Sequence, residues 1–137
     1  MAILGRAPLG VRDADDLERA LARTLSERVE VLNVHLPVLF RHHQRVFEFA
    51  TANRIAVIAG ARVYAQSGAL FTFGADIRDV IRHTATYVVR ILNGTKPSDL
   101  PVQQPTTFEL VINLKTAKAL GLTIPPSVLI RADAIIQ

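Results

Sequence analysis

Two alternating hydrophobic periods constrain this chain most. Ile55-Ala56-Val57-Ile58-Ala59 is a short apolar run that stops at Gly60, with no polar residue to mark a wet face. Such a run fits a central strand of a parallel sheet, covered on both sides. Other segments carry the helical period. Leu17, Ala20, Leu21, Thr24 and Leu25 fall at i, i+3, i+4, i+7 and i+8, which puts them on one helix face and predicts that this face is core. Ile77, Val80, Ile81, Thr84, Ala85, Val88, Ile91 and Leu92 keep the same period. Strands alternating with helices imply a doubly wound, mostly parallel α/β sheet with helices on both faces and right-handed crossovers.

Local signals set the boundaries. Leu9 to Val11 reads as a short strand, and Asp13, Asp15 and Asp16 offer cap oxygens and negative charge to the helix that follows. A buried strand is expected at Val29 to Val34. Pro37 then suits a first helical turn, and the helix runs to about Asn53 with Leu39, His43, Val46, Phe47 and Ala50 on its apolar line. A helical turn at Arg62 to Gln66 leads through Ser67-Gly68 to a strand at Ala69 to Phe73. Asp76 and Asp79 form a capping pair for the helix that Asn93-Gly94 closes. Thr95 to Pro105 is a proline-containing loop, Phe108 to Ile112 a strand, and Asn113 to Gly121 a capped helix; Pro125-Pro126 starts a short terminal helix. At 137 residues this is one domain's worth of chain.

The composition narrows the chemistry. With 50% hydrophobic and 20% charged residues, disorder is excluded, and the absence of cysteine excludes disulfides and thiolate metal sites. The apolar runs are far shorter than the ~20 residues a membrane helix needs. The net charge of +4 comes from arginines spread from Arg6 to Arg90 rather than clustered, so a nucleic-acid partner is not expected. His42 and His43 are adjacent and diverge by about 100° on a helix. His35 and His83 have no ligand-spaced partner, and no metal or other cofactor is expected. Ser67 lacks a Gly-x-Ser-x-Gly context, and the glycines make no phosphate loop. The chain therefore does not read as an enzyme.

The segments Pro101-Val102-Gln103-Gln104-Pro105, Phe108-Glu109-Leu110-Val111-Ile112-Asn113-Leu114-Lys115-Thr116-Ala117-Lys118-Ala119-Leu120-Gly121 and Pro125-Pro126-Ser127 follow one another at fixed spacing. They resemble the closing part of ABC transporter substrate-binding proteins of the tryptophan and tyrosine transport type, which adopt the type I periplasmic-binding fold. The resemblance starts near Leu9-Gly10-Val11-Arg12 and covers almost the whole chain, yet only the C-terminal part of a family member. It implies that residues 1–137 are a single lobe, truncated, without the N-terminal lobe.

The departures from the family pattern fall at strand ends. A Leu-Pro-Asp-Pro type turn is here Val34-His35-Leu36-Pro37, Pro-Ala-Ile-Tyr-Gly is Ala56-Val57-Ile58-Ala59-Gly60, and Glu-Ala-Gly-Gly is Gln66-Ser67-Gly68-Ala69. Ligands in open α/β sheets bind beyond the carboxyl ends of strands, which directs attention to Tyr64, Gln66, Ser67 and Gly68 as ligand-binding candidates. Ser67 and Gly68 can offer a hydroxyl and approachable backbone N–H groups. Gly68 equally serves as a tight turn before a strand, and Tyr64 as an amphipathic surface residue.

The resemblance implies a solute-binding component of an ABC-type transport system, taking a small molecule such as an amino acid, with permease subunits as partners. Half a cleft leaves a ligand exposed, so tight binding by a monomer is not expected. The alternative is a self-associating structural remnant with no retained ligand binding. The surface facing the missing lobe predicts a homodimer. The family implies a periplasmic location, whereas Met1 to Arg6 does not read as a secretory signal, which points to the cytoplasm for a natural product of this length.

Overall fold

The computed structural model describes residues 9–34 and 36–137. The segment Met1–Arg6 and His35 lie outside the described residues, as do the side chains of Leu36, Pro37 and Leu39.

Five strands, β1 (Val31–Val34), β2 (Ala56–Ala59), β3 (Phe71–Ala75), β4 (Phe108–Asn113) and β5 (Ala134–Ile136), form one sheet in sequence order. β1, β2 and β3 are parallel, with Val31 opposite Ala56 and Ile58 opposite Phe71. β4 returns antiparallel to β3, Ala75 facing Phe108, and β5 lies parallel to β4. The mostly parallel α/β sheet expected from the two periods is thus present. β5 was not foreshadowed.

Helix α1 (Ala14–Ser26) begins where the Asp13 carboxylate accepts a 2.8 Å bond from the Asp16 N–H. It ends in a left-handed Arg28 at φ +53, with the Val29 N–H folded back onto the Thr24 carbonyl. That turn delays β1 to Val31. Helix α2 (Leu36–Ala52) closes the same way at Arg54, φ +55. Helix α3 (Val63–Gln66) is one turn, and β3 starts at Phe71 rather than Ala69 because the Ala69 N–H closes the α3 turn on the Tyr64 carbonyl. Leu9 to Val11 is irregular backbone, not a strand.

The alternation along β1 and β2 divides the core between the two faces of the sheet. Leu32, Val34, Val57 and Ala59 pack on one side against Leu17 and Leu21 of α1 and Val46, Phe47 and Ala50 of α2. Val31, Ala56 and Phe71 pack on the other with Ala117 and Leu120 of α5 (Leu114–Leu120). Asn113 caps α5 through a 2.9 Å bond from the Thr116 N–H, and its amide donates to the Ala65 carbonyl at 2.8 Å. A short α6 (Pro126–Leu129) precedes β5.

Between β3 and β4 the chain makes an excursion. Helix α4 (Ile77–Leu92) is capped by Asp76, which accepts from the Arg78 N–H, and is followed by a 3-10 turn at Pro97–Asp99. The Asp76 N–H donates to the Thr107 carbonyl, so the excursion leaves and rejoins the sheet through one two-stranded neck. Asp79 does not join the cap; its carboxylate accepts from Thr107 and pairs with Arg82. Among the described residues no helix is long and apolar enough to cross a membrane.

Candidate functional site

Parallel strands deliver their carboxyl ends to one rim, and here that rim carries Val34, Ala59 and Ala75. Three other segments reach it. Because α1 descends toward the amino end of β1, the residues before α1 lie at the rim; α2 departs from it after β1; and Gly60 to Arg62 carries the chain from β2 into α3. Between them opens a cleft of about 550 Å³ lined by Val11, Arg12, Val38, Phe40, Arg41, His42 and Tyr64.

The cleft owes its shape to a kink in α2. His42 has non-helical angles, φ −131 and ψ 18, which interrupt the ladder of backbone bonds within the helix. The interruption falls among Phe40, Arg41 and His42, and Phe40 stays 83% exposed instead of packing on the sheet. Opposite, Tyr64 is almost buried. Its ring stacks on Phe47 at 6.3 Å and lies 6.4 Å from His43, so packing fixes the ring while one side meets the cleft.

Electrostatically the cleft is one-sided. Arg12 and Arg41 bring two guanidinium groups, and no aspartate or glutamate is among the described lining residues. Asp16 stands nearby, accepting from the Arg12 N–H at 3.1 Å. Its carboxyl is held below the usual range by the hydrogen bond from the Arg19 guanidinium and by the Arg12 N–H, so it stays ionised and committed to those partners. An arrangement of aromatic walls and planar guanidinium donors suits a carboxylate attached to an apolar group.

Two further features brace the rim. The Arg62 guanidinium pairs with the Glu109 carboxylate, tying the start of α3 to the returning strand β4. Gly74 lies against Gly60: a Cβ on Gly74 would overlap the Gly60 carbonyl oxygen. Only glycine allows this approach.

The candidates named from sequence separate. Tyr64 lines the cleft; Gln66, Ser67 and Gly68 do not. The one turn of α3 carries the chain from the rim toward the start of β3, and Gly68, at φ +113, makes that turn. The Thr116 hydroxyl donates to the Gly68 carbonyl, which fastens the turn to α5. Ser67 faces a shallow depression with His43, Gln44, Phe47 and Glu48, and Gln66 is exposed. Arg12 and Arg41 were missed. Nothing local marks them, but a helix ahead of the first parallel strand must start at the carboxyl rim, and that signal could have found Arg12.

Comparison with known proteins bears on this rim. Residues 5–136 match the family model described as ABC transporter substrate binding protein. The chain is 26% identical, over 82% of its length, to the tyrosine-binding protein of Clostridioides difficile strain R20291, of which it spans 33%. A conserved domain protein from Vibrio cholerae superposes with a TM-score of 0.80 at 30% identity, over 88% of this chain and 41% of that one. A Streptococcus pneumoniae ABC domain solved in complex with L-Trp gives 0.80 at 27% identity, over 89% and 41%. The chain thus spans about a third of that curated relative and about two fifths of these solved structures.

Proposed function

This chain belongs to the family of ABC transporter substrate binding proteins, and on that premise we propose that it is one lobe of a solute receptor for an ABC-type importer. The solute is a small amino-acid-like carboxylate. The observation that carries the reading is the cleft at the carboxyl ends of the parallel strands, with Tyr64 and Phe40 as walls and Arg12 and Arg41 at its margin. Two relatives support the solute class: one is named for tyrosine, the other was solved with L-Trp.

In this account Arg12 and Arg41 take the carboxylate and Tyr64 packs on the side chain. Gln66, Ser67 and Gly68 contribute through the turn that fixes Tyr64. A second lobe closes the opposite wall, permease subunits read the closed form, and the protein works outside the cytoplasmic membrane. Binding requires no catalysis and no cofactor.

Thermal unfolding with L-Trp, L-Tyr, L-Phe and branched-chain amino acids tests the proposal, because a ligand that prefers the folded state raises Tm. The expected result is a rise with at least one aromatic amino acid that disappears in the Arg12→Ala/Arg41→Ala variant. An unchanged Tm at saturating concentrations of every member of the set overturns it. One observation favours a second reading, a remnant that only self-associates: α4 buries none of its residues.

A further inference from the structure

The single turn of α3 is held at both ends by one strand. At its start the Arg62 guanidinium pairs with the Glu109 carboxylate of β4. At its end the Ala65 carbonyl accepts a 2.8 Å bond from the amide of Asn113, four residues further along β4. Side chains at i and i+4 of a strand stand on one face about 13 Å apart, so β4 offers two anchor points beneath α3. Tyr64, which lines the cleft, lies between them. A helix of one turn has no stability of its own in water, so anchors and packing decide where it sits.

The path of the chain brings the first pair together. Glu109 stands opposite Gly74 in the β3–β4 register, and the Gly60 carbonyl lies against Gly74 where a side chain would otherwise be. Gly60, Ala61 and Arg62 therefore run across this strand pair, which carries the guanidinium to Glu109. The Glu109 side chain is only 16% exposed, and among the described residues Arg62 is the one cation paired with it. A carboxylate left there without a partner is costly, so losing Arg62 drives Glu109 and the loop above it to rearrange. With Arg62 44% exposed, the pair itself adds little net stability. Its effect is on position. The two anchors differ in this respect, because Asn113 also caps α5 and serves the core.

We propose that the Arg62–Glu109 pair is the positioning contact that sets Tyr64 against the cleft. Arg62 is not among the described lining residues; it acts through the aromatic wall on which the solute packs. The Tyr64 ring stacks on Phe47 and lies near His43, both in α2, so a displaced start of α3 shifts the ring along α2 and changes the cleft without opening the core. The inference rests on the solute reading for its ligand, whereas the placement of Tyr64 can be followed with no ligand present.

The chain has two tyrosines and no tryptophan, so Tyr87→Phe, in α4 and outside the cleft, leaves Tyr64 as the one tyrosine band in near-ultraviolet circular dichroism. In that background Arg62→Ala is expected to diminish the Tyr64 band while Tm falls by only a few degrees. Binding is followed with L-Phe, which adds no tyrosine absorption, and with L-Tyr and L-Trp through the rise in Tm. Arg62→Ala is expected to weaken it about tenfold, and Arg62→Ala/Glu109→Gln to weaken it no further, because the two residues form one contact. Arg62→Lys should recover part of the loss. An unchanged Tyr64 band, an unchanged affinity in a chain that binds, or additive losses in the double variant overturns the proposal. A large drop in Tm that accounts for the lost binding overturns it too, since the pair is then merely structural. If the wild-type chain binds none of the three amino acids, the solute reading falls by itself. The Tyr64 band then decides the positioning role alone: a diminished band upholds it and an unchanged one ends it.

Discussion

Helices α1 and α4 are built on the same pattern and meet opposite fates. Both carry an aspartate cap, a basic residue in the last turn and an apolar stripe of 3.6 period. α1 buries Leu17 and Leu21 to 4% exposure, and Arg45 of α2 clasps Glu18 across the helix pair with two 2.6 Å bonds. None of α4's residues is buried, and among the described residues its backbone is joined to the sheet through the neck at Asp76 and Thr107. An amphipathic sequence therefore specifies a face and a period, but not what covers the face. The partner is decided by topology, which brings β1 and β2 under α1 and carries α4 away.

The contrast can be broken most directly by truncating one large side chain in each region. Ile112, 2% exposed in β4, is expected to lose about 2–5 kcal/mol as Ile112→Ala, the cost of a cavity the core cannot refill. Ile81→Ala in α4, whose residues are all exposed or half-buried, is expected to shift stability by less than about 0.5 kcal/mol. Urea unfolding of the two variants checks both; a large Ile81 effect means that α4 packs on its own chain.

The neck between the regions gives a smaller effect. Gly74→Ala places a methyl group where the Gly60 carbonyl lies, so β2 and β3 must separate locally at a cost of about 1–3 kcal/mol. The drop in Tm measures it, and a neutral result removes the close approach from the account of the rim.

The smallest effect sharpens the comparison through pH. The Arg45 hydrogen bonds hold the Glu18 carboxyl below its ordinary 4.5. A carboxyl whose folded pKa is depressed stabilises above the unfolded value, and that contribution fades as pH falls through the folded one. Both groups are exposed, so the gain is small. The Tm difference between the wild type and Glu18→Gln is expected at neutral pH and should vanish on acidification well below 4.5. The ion pairs of α4 among the described residues stay within the helix, and its one carboxylate bond toward the sheet is the hydroxyl donated by Thr107 to Asp79.

What the sequence disclosed was local. Asp13, Asp76 and Asn113 announced their helices because each cap bonds an N–H two or three residues on. The central strand at Ile55 to Ala59 was legible from its unbroken apolar run. β5 was not, since Ala134-Ile135-Ile136 becomes a strand only by pairing with Val111-Ile112-Asn113. The direction of β4 was hidden too, because it depends on the excursion returning to the strand it left. In the cleft, Tyr64 stood out as an aromatic after a strand, whereas Arg12 and Arg41 come together through the fold and resemble any surface arginine. The kink at His42 left no mark in the residues around it.

The neck has one more consequence. Ala75 and Phe108 already face each other as antiparallel neighbours, so in the logic of the sheet β3 and β4 are a hairpin whose turn has been swollen into a helix and a loop. A tight two-residue turn could replace that whole insert with little added closure entropy, leaving five strands in register. The arm is thus modular within this fold: the register of the five strands is set by Ala75 against Phe108 and does not depend on the length of what lies between them.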